Sequence, residues 1–333
     1  MRHYHYNLAT RFVSDLKLPV SIISDEETFF YELGLYEEQY KSLSKWSELW
    51  ETLYKMYPYK TDNQRAELFL QDYYKTRDDI IKFIEESDSY KNFNDSKDVI
   101  DKYSFKNAFN NVSKSVYNQE NIGQRFISVD MKNANFQALR YAGVLPKYSS
   151  YKDLVSKFTV NELIDEYVAN SKYTRQVIFG KLNPKRQIIV ERWLMYQIYE
   201  KFFANEYELC YFGSDEFVMR ENGNPLSDSM KSSIIAAIEC EFDGLEVRIE
   251  DYSLQGYEFF VKHSDDTEHK LGEFYKRSCD DNKYKCIPLP YHKILYKIMS
   301  DNETDINDMD RELMYEKCRV RLVEDIFVKE IVK

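Results

Sequence analysis

Two apolar segments, far apart in the chain, each carry an acidic residue close to the end of a predicted strand. In the first, residues 125–131, Phe126, Ser128 and Asp130 alternate with apolar residues, as on one face of a strand. The second, residues 209–220, has the pattern of a β-hairpin with Asp215 near its turn. Residues 160–205, between them, show helical periodicity interrupted at a proline. This order of elements predicts an α+β fold around an antiparallel sheet.

The amino-acid composition excludes several classes of protein. The chain has 333 residues, of which 43% are hydrophobic, which is enough for a sizeable core with two or three subdomains. The net charge of −11 argues against a general nucleic-acid coat protein. Five scattered cysteines imply no disulfide framework, and no apolar run predicts a membrane span or secretory leader, so a cytoplasmic location is expected. The 29 tyrosines and only 9 glycines are typical of an AT-rich coding genome, such as that of a phage or another virus, in which case the cytoplasm is the host's.

Positive charge is concentrated between the two acidic segments. Residues 172–192 contain six basic side chains and one acidic one, Glu191; the basic residues are Lys172, Arg175, Lys181, Lys185, Arg186 and Arg192. A solvated helix face is the commoner explanation of such a run, and an anion-binding helix is the alternative.

Two carboxylates at strand ends, with basic residues between them, are what a two-metal phosphoryl-transfer site needs. Asp130 and Asp215 are therefore the expected ligands of Mg²⁺ or Mn²⁺, and Glu216 is expected to assist them. Lys172 and Arg175 are expected to neutralise a triphosphate. Taken singly, each residue has a commoner structural explanation: an Asp at a strand end is usually a turn or cap residue.

The three segments, in their order along the chain, resemble the palm of right-hand nucleic-acid polymerases. Members of this group carry one metal-binding Asp at the end of a strand (motif A), a basic nucleotide-binding helix (motif B) and a second Asp in a hairpin (motif C). By this resemblance Asp130 belongs to motif A and Asp215 to motif C. The resemblance covers roughly residues 123–262.

The motifs share features with two polymerase families. Ser-Asp-Glu-Phe-Val, residues 214–218, is similar to the motif C hairpin of A-family DNA polymerases, which reads His-Asp-Glu followed by two hydrophobic residues. Arg-x-x-x-Phe-Gly, residues 175–180, is similar to the A-family Lys-x-x-x-Phe-Gly. Extended back to Lys172, the same stretch fits the B-family motif Lys-x-x-x-Asn-Ser-x-Tyr-Gly with substitutions. Asn135-Phe136-Gln137 also resembles the Gly-Ile-Gln of single-subunit phage RNA polymerases.

The resemblance implies a template-directed polymerase that binds a nucleic-acid primer and template and nucleoside triphosphates. Phe179 would stack on the incoming base, and Lys181 would add positive charge at the triphosphate. Asn135 occupies the position at which a larger residue often excludes ribonucleotides, so the enzyme is expected to tolerate them. A proofreading exonuclease is not expected, because the helical first 120 residues offer no place for one.

The resemblance also divides the chain. Residues 1–122 are expected to form a helical N-terminal region, 123–264 a palm with inserted fingers helices at 160–205, and 265–333 a small C-terminal thumb. The polar stretch 87–98 is predicted to be a linker, 245–249 and 256–263 two separate strands, and 284–333 mainly helical.

Departures from the family patterns leave alternatives open. Gly213 stands where B-family enzymes have a second Asp, and Gln176-Val177 replaces their Asn-Ser pair. One alternative is a non-catalytic viral interaction protein with degenerate motifs. Another is a template-independent nucleotidyltransferase acting on RNA or protein. The sequence also leaves room for a protein partner that completes the basic channel.

Overall fold

A computed structural model describes residues 3–18, 20–104, 109, 112, 115–159, 161–223, 225–262, 268–278, 284–285, 311–315, 318–322 and 329–330. The chain is α+β, as predicted. It divides into two compact units, the first formed by Met1–Gln71, Gln119–Gly123 and Leu254–Lys333, and the second by Asp72–Asn118 and Gln124–Ser253. The predicted boundaries after 122 and 264 are therefore displaced, because residues 72–118 belong with the central strands and residues from 254 onward with the N-terminal helices.

Aromatic packing holds the helices of the first unit together. These helices are α1 (Tyr6–Leu16), α2 (Glu26–Leu35), α3 (Glu37–Tyr40), α4 (Ser42–Met56) and the start of α5 (Asp62–Glu86), with a 3-10 turn at Val20–Ile23. The ring of Trp46 lies 5.0 Å from Phe12 and 4.9 Å from Phe29, both buried. Trp46 and Trp50 of α4 are themselves buried, so the aromatic residues of this helix are part of the core.

The second unit contains the remaining helices. They are α6 (Asp88–Asp95), α7 (Lys97–Tyr103), α8 (Ala134–Tyr141), α9 (Tyr151–Ser156), α10 (Glu162–Asn170), α11 (Lys172–Lys181), α12 (Pro184–Phe202) and α13 (Asp228–Glu241). The prediction of a linker at 87–98 is wrong. Ser87 and Ser96 cap α6 and α7, and α6 buries Tyr90 and Phe93 between its polar residues.

Four antiparallel strands form the sheet of the second unit. In the order β2 (Glu208–Phe212), β3 (Glu216–Arg220), β1 (Arg125–Met131) and β4 (Val247–Lys262), each pairs with the next. The predicted strand and hairpin are confirmed. One strand, β4, replaces the two predicted at 245–249 and 256–263, and its residues from 254 onward belong to the first unit.

Apart from a 3-10 helix at Gln119–Asn121, the remaining elements of the first unit in the described part of the chain are strands. They are β5 (Glu268–Ser278), β6 (Tyr284–Lys285), β7 (Glu312–Tyr315), β8 (Cys318–Leu322) and β9 (Lys329–Glu330), and both β8 and β9 pair with β4. The helical prediction for 284–333 is therefore wrong for these segments. Most of the predicted thumb, 265–333, lies outside the described residues. Across the described ranges, no helix has the length and apolar character needed to cross a membrane.

The two faces of the β3-β1-β4 sheet differ in what they carry. One bears Ile127, Val129 and Phe217, and it is covered by Tyr199 of α12 and by Phe203, which follows directly after that helix; their rings lie 5.5 and 5.6 Å from that of Phe217. The opposite face begins with apolar rings and ends in charged residues. Burial of the apolar face against α12 fixes which residues the sheet presents at its charged end.

Candidate active site

Strand register brings the predicted acidic residues to one end of the sheet. Asp130 lies directly opposite Glu216 across the β1–β3 pair, so both side chains project from the same face. The Met131 N–H donates a 2.8 Å hydrogen bond to the Asp215 carbonyl oxygen, which ties the hairpin turn to the end of β1. Asp130 and Asp215, which are 85 positions apart in the chain, therefore lie at the same end of the sheet.

The turn before Asp215 favours glycine at one position. A Cβ atom on Gly213 would lie 2.7 Å from the Tyr211 hydroxyl and 3.1 Å from the Glu216 carbonyl oxygen. The Gly213 N–H donates to that same carbonyl oxygen at 2.8 Å. The Ser214 hydroxyl donates to Asp215 Oδ1 at 3.0 Å and orients the carboxylate. The residue that departs from the B-family pattern is therefore the one that lets the hairpin close.

Asp130 sits in a strongly charged environment. Its pKa is raised to about 6, chiefly by burial; the charge of Arg248 opposes this rise, those of Glu216 and Asp215 add to it, and that of Lys172 opposes it. Arg248, directly opposite on β4, donates from Nη2 to Asp130 Oδ2 at 2.9 Å. A carboxyl with neighbours of both signs is typical of a functional site, although structural networks show it too.

Helix α11 supplies the positive charge. Buried Ser171 caps it by accepting from the Thr174 N–H at 3.0 Å, which places Lys172 in the first turn, where its charge acts on Asp130. Arg175, one turn later on the same side, is half-buried, and burial lowers its pKa. Its guanidinium lies 5.8 Å from the Tyr151 ring, and no carboxylate of the described residues pairs with it.

Two predicted nucleotide contacts need correction. Phe179 is fully buried, with its ring 5.8 Å from that of Tyr151 and 6.4 Å from that of Phe136, so it belongs to the core and is not free to stack on a base. Lys181 is exposed at the far end of α11, nine residues after Lys172, which is about 13 Å along a helix axis. It is therefore separated from the carboxylates.

A further carboxyl group, which the sequence analysis did not single out, belongs to the cluster. Glu191 of α12 is 2% exposed, and Asn135 Nδ2 donates to its Oε1 at 2.9 Å. Burial, together with the charge of Asp215, raises the pKa of Glu191 to about 8, while the Asn135 hydrogen bond lowers it. The sequence did hold a signal, because Glu191 is the single acid in the basic run 172–192.

The donor set fits a divalent cation in its chemistry. Asp130, Asp215 and Glu216 offer hard oxygen ligands, and the mutual repulsion of their charges is what a bound cation would relieve. Among the residues that the structure describes, no three His, Cys, Asp or Glu side chains form a ready-made metal site. Arg248 holds one oxygen of Asp130 and places its positive charge beside this donor set.

No protein-family model matches this chain, and no curated protein matches it either.

Proposed function

We propose that this protein is a template-directed nucleic-acid polymerase that transfers a nucleotide to a 3′-hydroxyl. The observation that carries the proposal is the convergence of Asp130 and Asp215 at one end of the sheet, within range of the cationic start of α11. Carboxylates that gather cations, beside side chains that bind anions, are the parts that phosphoryl transfer needs.

The carboxylates are the proposed Mg²⁺ or Mn²⁺ ligands. Asp130 and Asp215 would hold the ions and Glu216 would assist. When bound, such ions activate the attacking hydroxyl and offset charge on the leaving pyrophosphate. The raised pKa of Asp130 supports this role, because a partly buried carboxylate among other carboxylates is stabilised by added positive charge.

The chain's own residues would bind and orient the nucleotide. Arg175 would form paired hydrogen bonds with triphosphate oxygens, since a desolvated guanidinium without a carboxylate partner gains most from an anion. Lys172 would share the triphosphate charge. Asn135, held by Glu191, would face the sugar, and its small size favours tolerance of ribonucleotides. The unpaired Cys210 and Cys240 agree with a reducing, cytoplasmic location.

The test is primer extension by the full chain with Mg²⁺ or Mn²⁺, using dNTPs and NTPs in parallel. Asp130→Asn and Asp215→Asn are each expected to lower the rate by about a thousandfold or more, because several kcal/mol of metal-dependent stabilisation are lost. Asp79→Asn makes the same change in a surface pair of α5 and should leave the rate unchanged. Circular dichroism should show all three variants folded. Full activity in either site variant would reject the proposal.

The same assay separates the alternatives. Incorporation that does not depend on template sequence would point to a template-independent nucleotidyltransferase. A folded wild-type chain that incorporates no nucleotide under any of these conditions would favour an interaction protein. Strict rejection of NTPs, with dNTPs accepted, would overturn only the expectation for Asn135.

A further inference from the structure

Arg248 bridges two carboxylates on the charged face of the sheet. It lies opposite Asp130 in the β1–β4 register and contacts Asp130 Oδ2 through Nη2 at 2.9 Å. Its Nε lies 3.3 Å from Oε1 of Glu250, which is two residues further along β4 and therefore on the same face. The Arg248 side chain is 53% exposed, and those of Asp130 and Glu250 are 28% and 19% exposed.

We infer that Arg248 is an internal counter-ion that competes with the divalent cation for Asp130, and that Glu250 receives the guanidinium when the cation binds. This inference rests on the proposed role of Asp130 as a metal ligand. Arg248 is in this sense a positioning residue, because it sets the concentration of divalent cation at which the site is filled.

The geometry makes the exchange feasible. The guanidinium takes one lone pair of Asp130 Oδ2 and places a positive charge beside the carboxylate, so it repels a divalent cation at Asp130 until the contact opens. Ion pairs between partly exposed side chains are weak, so breaking it is not prohibitive. Because Nε already lies beside Glu250, a rotation of the outer part of the side chain transfers the guanidinium without leaving it unpaired.

Two substitutions should shift cation affinity in opposite directions. Arg248→Gln removes the competitor and should tighten Mn²⁺ binding by about threefold to tenfold, the effect of one unit charge a few ångströms from a divalent ion. Glu250→Gln removes the alternative partner and should weaken Mn²⁺ binding by a similar factor. Arg248→Lys keeps the charge but loses the forked geometry, so its affinity should lie between those of the wild type and Arg248→Gln.

The experiment is a titration of the full chain with Mn²⁺, followed by electron paramagnetic resonance without nucleotide or nucleic acid. Lys132→Gln is the matched control: Lys132 is two residues from Asp130, is exposed and lies 3.9 Å from Glu246, so its loss removes an equal charge near the site. Asp130→Asn shows whether the measured ion is the one at Asp130.

The outcomes separate this inference from the proposed function. Tighter binding in Arg248→Gln than in Lys132→Gln, with weaker binding in Glu250→Gln, supports the exchange. If Mn²⁺ binding depends on Asp130 but Arg248→Gln matches the wild type or Lys132→Gln, the exchange is overturned and the metal site stands. If Asp130→Asn leaves Mn²⁺ binding unchanged, the metal site itself fails and the exchange fails with it.

Discussion

Strand β4 carries two ion pairs of similar composition on its opposite faces. Arg248 meets Asp130 at 2.9 Å, with side-chain exposures of 53% and 28%. Three residues later, Asp251 meets Lys231 of α13 at 2.5 Å, with exposures of 4% and 9%. Both join an aspartate to a cation on a neighbouring element, so the chemical groups alone do not distinguish them. Their burial distinguishes the two pairs, because an ion pair in contact with water can exchange partners whereas a buried pair cannot.

The buried pair, Asp251 and Lys231, has a structural role. Asp251 projects from the same face of the sheet as Ile127 and Val129, and its Oδ1 is buried without a hydrogen-bond partner among the described groups. Lys231 also lies 3.6 Å from exposed Asp228 in the first turn of α13. Releasing either partner would leave a charge in an apolar environment, so this pair fixes α13 against β4.

Breaking the buried pair is expected to have the largest effect on stability. Lys231→Met should lower the free energy of unfolding by about 3–5 kcal/mol, because Asp251 would remain buried without its counter-ion. Urea unfolding followed by circular dichroism measures this. The matched variant on the exposed face, Arg248→Gln, should cost no more than about 1 kcal/mol. Replacing both members, with Lys231→Met and Asp251→Leu together, should recover much of the loss. Equal losses in the two single variants would contradict the distinction by burial.

The pairing of the strands could be predicted from the sequence, whereas the contacts of the charged side chains could not. Strand β1 and the β2–β3 hairpin follow from alternation and turn residues, which are local signals, and the register then places Asp130 opposite Glu216. The contacts of Glu191 and Lys231 with residues distant in sequence depend on how α12 and α13 pack, which no local pattern encodes. Helix α6 and the first two residues of α7 fall in the predicted linker, because serine caps and polar residues are also typical of loops.

Glu191 shows the effect of burial on the pKa of a carboxyl group that has no ion-pair partner among the described residues. Its folded-state pKa of about 8 lies above the value of about 4.3 in an unfolded chain, so the folded state holds the proton more tightly. Its contribution to stability is therefore complete at low pH and is lost as the pH rises towards 8. Each pH unit between the two pKa values costs up to about 1.4 kcal/mol.

Glu191→Gln should remove this pH dependence while keeping an acceptor for Asn135. Between pH 6.5 and 8.0 the wild type should lose up to about 2 kcal/mol relative to the variant; this window lies above the pKa of Asp130, which is about 6. Urea unfolding of both proteins at several pH values measures the difference. Parallel curves for the two proteins would show that Glu191 is ionised at neutral pH and that its burial does not raise its pKa.

Arg175 provides a third case, a half-buried cation that no carboxylate of the described residues neutralises. Under the proposed function, Arg175→Gln should raise the KM for the nucleotide about tenfold, equivalent to roughly 1.4 kcal/mol, with a smaller change in kcat, because the proposed charge-assisted contact to the triphosphate would be lost. Lys181→Gln removes one charge from the exposed end of the same helix and should change KM less than twofold. Calorimetric titration with inorganic triphosphate measures the binding contribution without catalysis.

The stability of Arg175→Gln distinguishes a ligand-binding residue from a structural one such as Lys231. Arg175→Gln removes a charge whose burial is disfavoured, so its free energy of unfolding should equal or exceed that of the wild type. A substitution that weakens triphosphate binding without weakening the fold is the signature of a residue kept for a ligand. Lys231→Met should show the reverse, with stability lost and no specific effect on triphosphate affinity. If Arg175→Gln and Lys181→Gln weakened triphosphate binding equally, the effect would be that of net charge on α11, and Arg175 would have no special role.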